Sequence, residues 1–224
     1  MREIVLDTET TGLDPASGNR IVEIGCVELE NHVPSGATYH QYINPERDMP
    51  DEAYAVHGLS EVFLEDFPTF AEVADAFCAF IGDAPLVIHN ATFDIGFINA
   101  ELARIDRPAI PASRAIDTVH IARKKFPGAP ASLDALCRRF GVDNQTRTKH
   151  GALLDAGLLA CVYLELVGGR QQNLALNGDK TVAQVGIETV ERPFRPARRH
   201  APNSEEHIAH AAFVDELTDP VWRR

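Results

Sequence analysis

One short stretch limits what this chain can become more than any other. Glu3-Ile4-Val5-Leu6 reads as a strand, its apolar run buried from Ile4 to Leu6, and it leads directly into Asp7-Thr8-Glu9-Thr10-Thr11-Gly12. On an extended backbone alternate side chains share a face, so Asp7 and Glu9 point the same way. Two carboxylates held together at the end of a buried strand repel by ~4 kcal/mol at ~4 Å and an effective dielectric near 20. Unless one of them is protonated, that repulsion calls for a cation, and hard oxygen ligands suit Mg²⁺ or Mn²⁺. The same two residues also serve as ordinary turn residues after a strand. The stretch alone leaves both readings open.

The rest of the chain narrows the choice. Its 224 residues, 45% of them hydrophobic, suffice for one good-sized domain with an appendage. No apolar run reaches transmembrane length, and Met1-Arg2-Glu3 enters the first strand without a signal-peptide pattern. Cys26, Cys78, Cys137 and Cys161 are scattered, with no CxxC, and read as reduced core cysteines of a cytoplasmic protein. The formal net charge is −12, and up to Arg170 there are 14 Lys+Arg against 25 Asp+Glu. A body this acidic lacks the broad basic surface that holds nucleic acid. If it acts on a phosphodiester, metal ions must supply local positive charge and a partner must supply the grip.

The pattern of elements predicts an α/β fold. Ile21 to Leu29 and Ala37 to Asn44 read as strands that form an antiparallel meander with the first. Asp51 to His57 reads as a short helical turn. Phe70, Val73, Phe77 and Phe80 have helical spacing, Pro85 to Asn90 is a short buried strand, and a helix follows from about Thr92 to Ile105. Ala115 to Ile121 reads as a fifth strand. Ser132 is placed to cap a helix ending at Gly141, and a long apolar helix runs from about Leu153 to Val167 before Gly168-Gly169. Three strands followed by alternating strands and helices imply a mixed sheet flanked by helices.

Two further segments add acids. Asp94 lies in the first turn of the helix after His89-Asn90-Ala91-Thr92-Phe93, a position that also suits an acid at a helix N-terminus. Asp155 follows His150-Gly151-Ala152-Leu153-Leu154 and is surrounded by leucine and alanine, where a carboxylate costs several kcal/mol unless paired or metal-bound. Gly151 offers backbone freedom beside His150. His89 reads as structural, and His120, close to Asp117, has no metal-ligand spacing.

The three segments starting at Asp7, His89 and His150 together resemble the motifs of the DEDDh exonuclease family, and specifically the proofreading epsilon subunits of bacterial DNA polymerase III. The resemblance spans roughly Ile4 to Gly169 and extends into the tail. It implies a ribonuclease-H-like fold and removal of nucleotides from a DNA 3′ end. It also implies two divalent cations, Mg²⁺ or Mn²⁺, held by Asp7, Glu9, Asp94 and Asp155, with His150 as general base. By the same match Thr10, Glu52, His57 and Phe93 join Asp7, Glu9 and Asp155 in contacting the terminal nucleotide. An exposed helical turn is the plainer reading of Glu52 and His57.

After Gly169 the texture changes. Residues 170–203 lack a sustained period and carry Pro193, Pro196 and Pro202, which reads as a flexible linker. Within it, Gln171, Leu174 and Leu176 resemble a sliding-clamp binding motif. Residues 204–224 regain amphipathic character and resemble the segment of this family that docks on the polymerase alpha subunit. The family also leaves room for a small accessory subunit on the catalytic domain, 1–169. The rivals are a free-standing RNA-trimming exonuclease and an inactive scaffold between clamp and polymerase.

Overall fold

The computed structural model describes residues 1–144, 149–169, 201–218 and 221. The chain divides into two compact units, Met1–Ala175 and Leu176–Arg224. In the first, β1 (Arg2–Thr10), β2 (Ile21–Glu30) and β3 (Val33–Tyr42) form the antiparallel meander, and β4 (Leu86–Ile88) and β5 (Ala115–Asp117) add to it in parallel. The order β3-β2-β1-β4-β5 puts β1 at the centre of the five-stranded sheet. The helices are α1 (Asp51–His57), α2 (Glu61–Leu64), α3 (Phe70–Ile81), α4 (Ala91–Arg104), α5 (Thr118–Lys125), α6 (Leu133–Phe140) and α7 (Ala152–Leu166). This is the mixed, helix-flanked sheet of a ribonuclease-H-like fold.

The period-2 alternation of β1 divides the core in two. Ile4 and Leu6 pack with Phe70, Phe77, Ile95 and Ile98 of α3 and α4 on one face. Val5 packs on the other face with Leu136 and Cys137 of α6 and with Leu159 and Val162 of α7. Glu3, on that second face and fully buried, accepts a hydrogen bond from Tyr163 Oη of α7 at 2.8 Å and lies 2.7 Å from His32 Nδ1. Opposite faces of one strand therefore carry two different helical layers to the same strand end.

Helix boundaries follow their caps. Ser132 Oγ accepts from Ala135 N at 3.3 Å to start α6, and Gly141, at φ 68°, ends it in the left-handed conformation that glycine tolerates. Thr69 and Glu72 form a capping box at the start of α3. The strand expected from Ala115 to Ile121 stops at Asp117. Asp117 Oδ1 accepts from Val119 N at 2.8 Å and His120 N at 3.4 Å, so its side chain caps α5 and turns the chain into a helix there. Burial of Thr118 and Ala122, four residues apart, then follows helical spacing rather than strand alternation.

In the second unit α8 (Ser204–Asp215) opens with a capping box, Asn203 Oδ1 accepting from Glu206 N at 2.8 Å. Gln171, Leu174 and Leu176 lie outside the described residues. No helix among the described residues is long and apolar enough to cross a membrane.

Candidate active site

The strand end that dominates the sequence opens into a cleft of about 320 Å³, lined by Asp7, Glu9, Asp94, His150 and Asp155 among others. Asp7 and Glu9 are on the α7 face of β1, as their spacing predicts. Asp155, only 3% exposed, comes from the first turn of α7, and His150 immediately precedes that helix. Ligand atoms of Glu9, His150 and Asp155 lie within 4.8 Å of one another. His150 Nδ1 is 3.3 Å from Asp155 Oδ2, and the imidazole itself is half exposed at the mouth.

Asp94 reaches the cleft from the other layer. It is 2% exposed in the first turn of α4, and Thr8 Oγ1 donates to its Oδ1 at 2.7 Å. Burial pushes the Asp94 carboxyl up to about 7, against the Thr8 hydrogen bond that draws it down. Buried acids converging on one cavity form an all-oxygen donor set, with one imidazole beside it. That chemistry fits Mg²⁺ or Mn²⁺ and gives the repulsion a cause to be relieved.

A second pocket of about 390 Å³ shares Thr8, Glu9 and Phe93 with the cleft and is walled by Leu13, Ala53 and Val56, with mostly apolar surface. Thr10, Glu52 and His57 line it too. The sequence-derived substrate contacts are therefore gathered beside the acids. Thr10 is 8% exposed and donates from Oγ1 to the Gly12 carbonyl at 2.6 Å. Glu52 is exposed on α1, but His57 is only 5% exposed, not the exposed turn residue of the plainer reading. His57 Nδ1 accepts from Leu59 N at 3.0 Å. Burial pushes the His57 pKa down, opposed by the Thr10 backbone and reinforced by His150 and Lys149.

Some details differ from expectation. Gly151 has φ −157° and ψ 125°, extended values open to any residue, so backbone freedom is not its contribution. His89 Nδ1 lies 2.9 Å from Thr118 Oγ1, and the residue also lines the cleft. Three residues escaped the sequence reading. Thr8 points to the opposite face from Asp7 and Glu9, and no local spacing links it to Asp94. Asp134 lines the cleft from α6. Gly25 pairs with Asp7 across β1 and β2, and a Cβ there would lie 2.2 Å from the Ala152 carbonyl carbon.

Comparison with known proteins agrees with this geometry. The family model described as Exonuclease, RNase T, matches residues 4–163. The DNA polymerase III subunit epsilon of Rickettsia felis is 55% identical over 223 residues, 97% of each chain. That of Escherichia coli K12 is 45% identical over 225 residues, 96% of this chain and 92% of its own. Among solved structures, Exonuclease X in complex with 5′ overhanging duplex DNA is 27% identical with a TM-score of 0.57, covering 73% of this chain and 90% of that one. The nuclease domain of 3′hExo, a DEDDh family member bound to rAMP, shares the fold at a TM-score of 0.63 and 20% identity, over 76% of this chain and 94% of that one. An acid-lined cleft at the end of β1, on a chain matched by these relatives over almost its full length, places the protein in the epsilon subunit family of DNA polymerase III, the proofreading 3′–5′ exonucleases of the DEDDh class.

Proposed function

We propose that this cleft removes single nucleotides from a frayed DNA 3′ end, with Asp7, Glu9, Asp94 and Asp155 holding two divalent cations, Mg²⁺ or Mn²⁺, and His150 acting as general base. The observation that carries the reading is the convergence of these five residues on one cleft beside an apolar pocket of nucleotide size. Divalent ions, when bound, neutralise phosphate charge and make water acidic enough to react near neutral pH. Asp155, 3.3 Å from His150 Nδ1, favours the tautomer protonated at Nδ1 and leaves Nε2 to accept the proton of the attacking water. The water oxygen bonds to phosphorus, the bond from phosphorus to the penultimate 3′ oxygen breaks, and solvent protonates that oxygen. A nucleoside 5′-monophosphate leaves. Phe93 and the apolar wall receive the terminal base, Glu52 and Thr10 hold the sugar, and His57 sits against the strand end.

His150→Ala separates this role from metal binding. Hydrolysis should fall about 10²- to 10⁴-fold, the usual worth of a positioned base, while Mn²⁺ affinity changes much less. Equal losses of affinity and rate, measured by metal titration and single-turnover digestion, would make His150 a ligand instead.

The same reading assigns 1–169 to catalysis, 170–203 to a tether, and 204–224 to docking on the polymerase alpha subunit, with Gln171, Leu174 and Leu176 for the sliding clamp. A small accessory subunit would sit on the catalytic domain. Ile208 and Phe213 of α8 are exposed, and a helix of this length is marginal in water without a partner surface. Tethering raises the effective concentration of the active site at a primer end without new contacts. A chain ending at Gly169 should digest free single-stranded DNA about as fast as the full chain and fail to bind the alpha subunit. Leu174→Ala with Leu176→Ala in the full chain should weaken clamp binding alone. Tight alpha binding by the truncated chain in a pull-down would move the docking site into the catalytic domain.

A further inference from the structure

The acidic charge of the catalytic unit is unevenly placed. Between Arg104 and Lys149 the chain carries ten of the fourteen Lys and Arg found up to Arg170, against only four Asp and Glu. Helices α5 and α6 concentrate them at their C-terminal ends, as Arg123, Lys124 and Lys125 and as Arg138 and Arg139. This basic region borders a groove of about 460 Å³ lined by His89, Asn90, His120, Arg123 and Ser132, with mainly polar surface. Asp117 also lines it, but its Oδ1 already accepts three backbone N–H groups, from Asn90, Val119 and His120. His89 and Ser132 line the catalytic cleft as well, so groove and cleft adjoin at these two residues. Ser132 also lines a neighbouring depression together with Arg138 and Arg139.

The groove leaves the cleft by a different wall from the apolar pocket, which joins it through Thr8, Glu9 and Phe93. Among the described residues the side chains of His120 and Arg123 have no hydrogen-bond or ion-pair partner, and both are exposed. Arg139, by contrast, is stacked on Phe126 at 4.4 Å from the ring centroid. The donors of His120 and Arg123 are thus open to a ligand. His89 is fixed at the junction. Its Nδ1 lies 2.9 Å from Thr118 Oγ1, which is also 3.2 Å from the Ile88 carbonyl oxygen, and this pairing holds the ring at the shared wall.

We infer that this groove is the track for the strand upstream of the scissile bond, with Arg123 and His120 contacting backbone phosphates and Arg138 marking its outer end. The inference rests on the 3′-end hydrolysis proposed for the adjoining cleft. A polymer held by its terminal nucleotide alone would leave its next phosphates over an acidic body, and this is the one cation-rich surface joined to the cleft among the described residues. Phosphate contacts position a strand without reading its bases, so the track imposes no sequence preference.

The test uses the full chain and two substrates, a single-stranded oligonucleotide of ten residues and the p-nitrophenyl ester of thymidine 5′-monophosphate, which has no upstream strand. Arg123→Ala and Arg123→Glu should lower kcat/KM on the oligonucleotide relative to the ester, by about threefold to tenfold for alanine and more for glutamate. The slope of log kcat/KM against log salt on the oligonucleotide should flatten by roughly 0.7 per lost contact. Arg123→Lys should restore most of the ratio, and Arg104→Ala, at the far end of α4, should leave it at the wild-type value. An unchanged ratio and salt slope in Arg123→Glu would overturn the track while ester hydrolysis showed the catalytic reading intact. If the wild-type chain cleaves neither substrate, the catalytic reading fails and the track falls with it.

Discussion

Asp155→Asn should slow metal-dependent digestion of a single-stranded DNA end by about 10²- to 10⁴-fold while leaving the protein folded and no less stable in chelator. Asp155 is 3% exposed, in the long apolar helix α7, and faces Glu9, which is 8% exposed. Buried carboxylates this close raise the free energy of the metal-free fold, because desolvation and repulsion act together. The amide keeps the shape of the side chain and removes one charge from that group. Its attraction to His150 is worth little, since the imidazole is half exposed. On the proposed reading the amide takes a charged ligand from the metal site, and removing several kcal/mol of transition-state stabilisation lowers the rate by about 10²- to 10⁴-fold. Two measurements check this, digestion rates in Mg²⁺ and melting temperatures with and without the ion. Wild type should gain stability from the ion by mass action and Asp155→Asn should gain much less. Near-normal digestion by a folded Asp155→Asn protein would remove Asp155 from the metal site.

What the sequence could and could not disclose divides along the range of the interactions. Asp7 and Glu9 were readable because a strand of period 2 fixes their common face without knowledge of the rest. Asp155 stood out because an acid among leucines and alanines in a long apolar helix is costly wherever that helix packs. The mixed, helix-flanked sheet was readable from three strands followed by alternating strands and helices, whereas the sorting of α4 and α7 to opposite faces of β1 needed the fold. The α5 start was not, because Thr118, Val119 and Ile121 have strand propensity and the deciding event is a side-chain cap by Asp117. Thr8 and Asp94 are 86 residues apart and meet only after α4 packs on the sheet. The polar groove beside the cleft is assembled from the turn after β4, the β5–α5 junction and the cap before α6, segments whose order in the chain says nothing of their contact. Function was legible from motifs, whereas the surroundings that tune those motifs needed the fold.

Gly25→Ala should cost at least about a hundredfold in rate, although Gly25 is no metal ligand and contributes no side chain to the cleft. A Cβ there would lie 2.2 Å from the Ala152 carbonyl carbon and Leu153 nitrogen and 2.4 Å from the Ala152 oxygen. All three are backbone atoms at the start of α7, and Ala152 is fully buried, so no side-chain rotation can relieve the clash. The start of α7 must retreat from β2 by about 1 Å, and His150 and Asp155 move with it. Overpacking of this kind costs about 1–3 kcal/mol of stability, and a 1 Å misplacement of reacting groups costs about 10²-fold in rate. The cleft is set by this contact because Gly25 pairs directly with Asp7, so the same close approach fixes the distance between the β1 acids and the α7 acid. Gly157→Ala gives the contrast on the same helix. Its Cβ would meet nothing within 4 Å, and replacing a mid-helix glycine by alanine stabilises by about 0.5–1 kcal/mol, so that variant should melt higher and digest DNA normally. Melting curves and single-turnover digestion of the two variants decide the point. Wild-type digestion by Gly25→Ala would mean that α7 is not held against β2 at this glycine and that the position of Asp155 is set elsewhere.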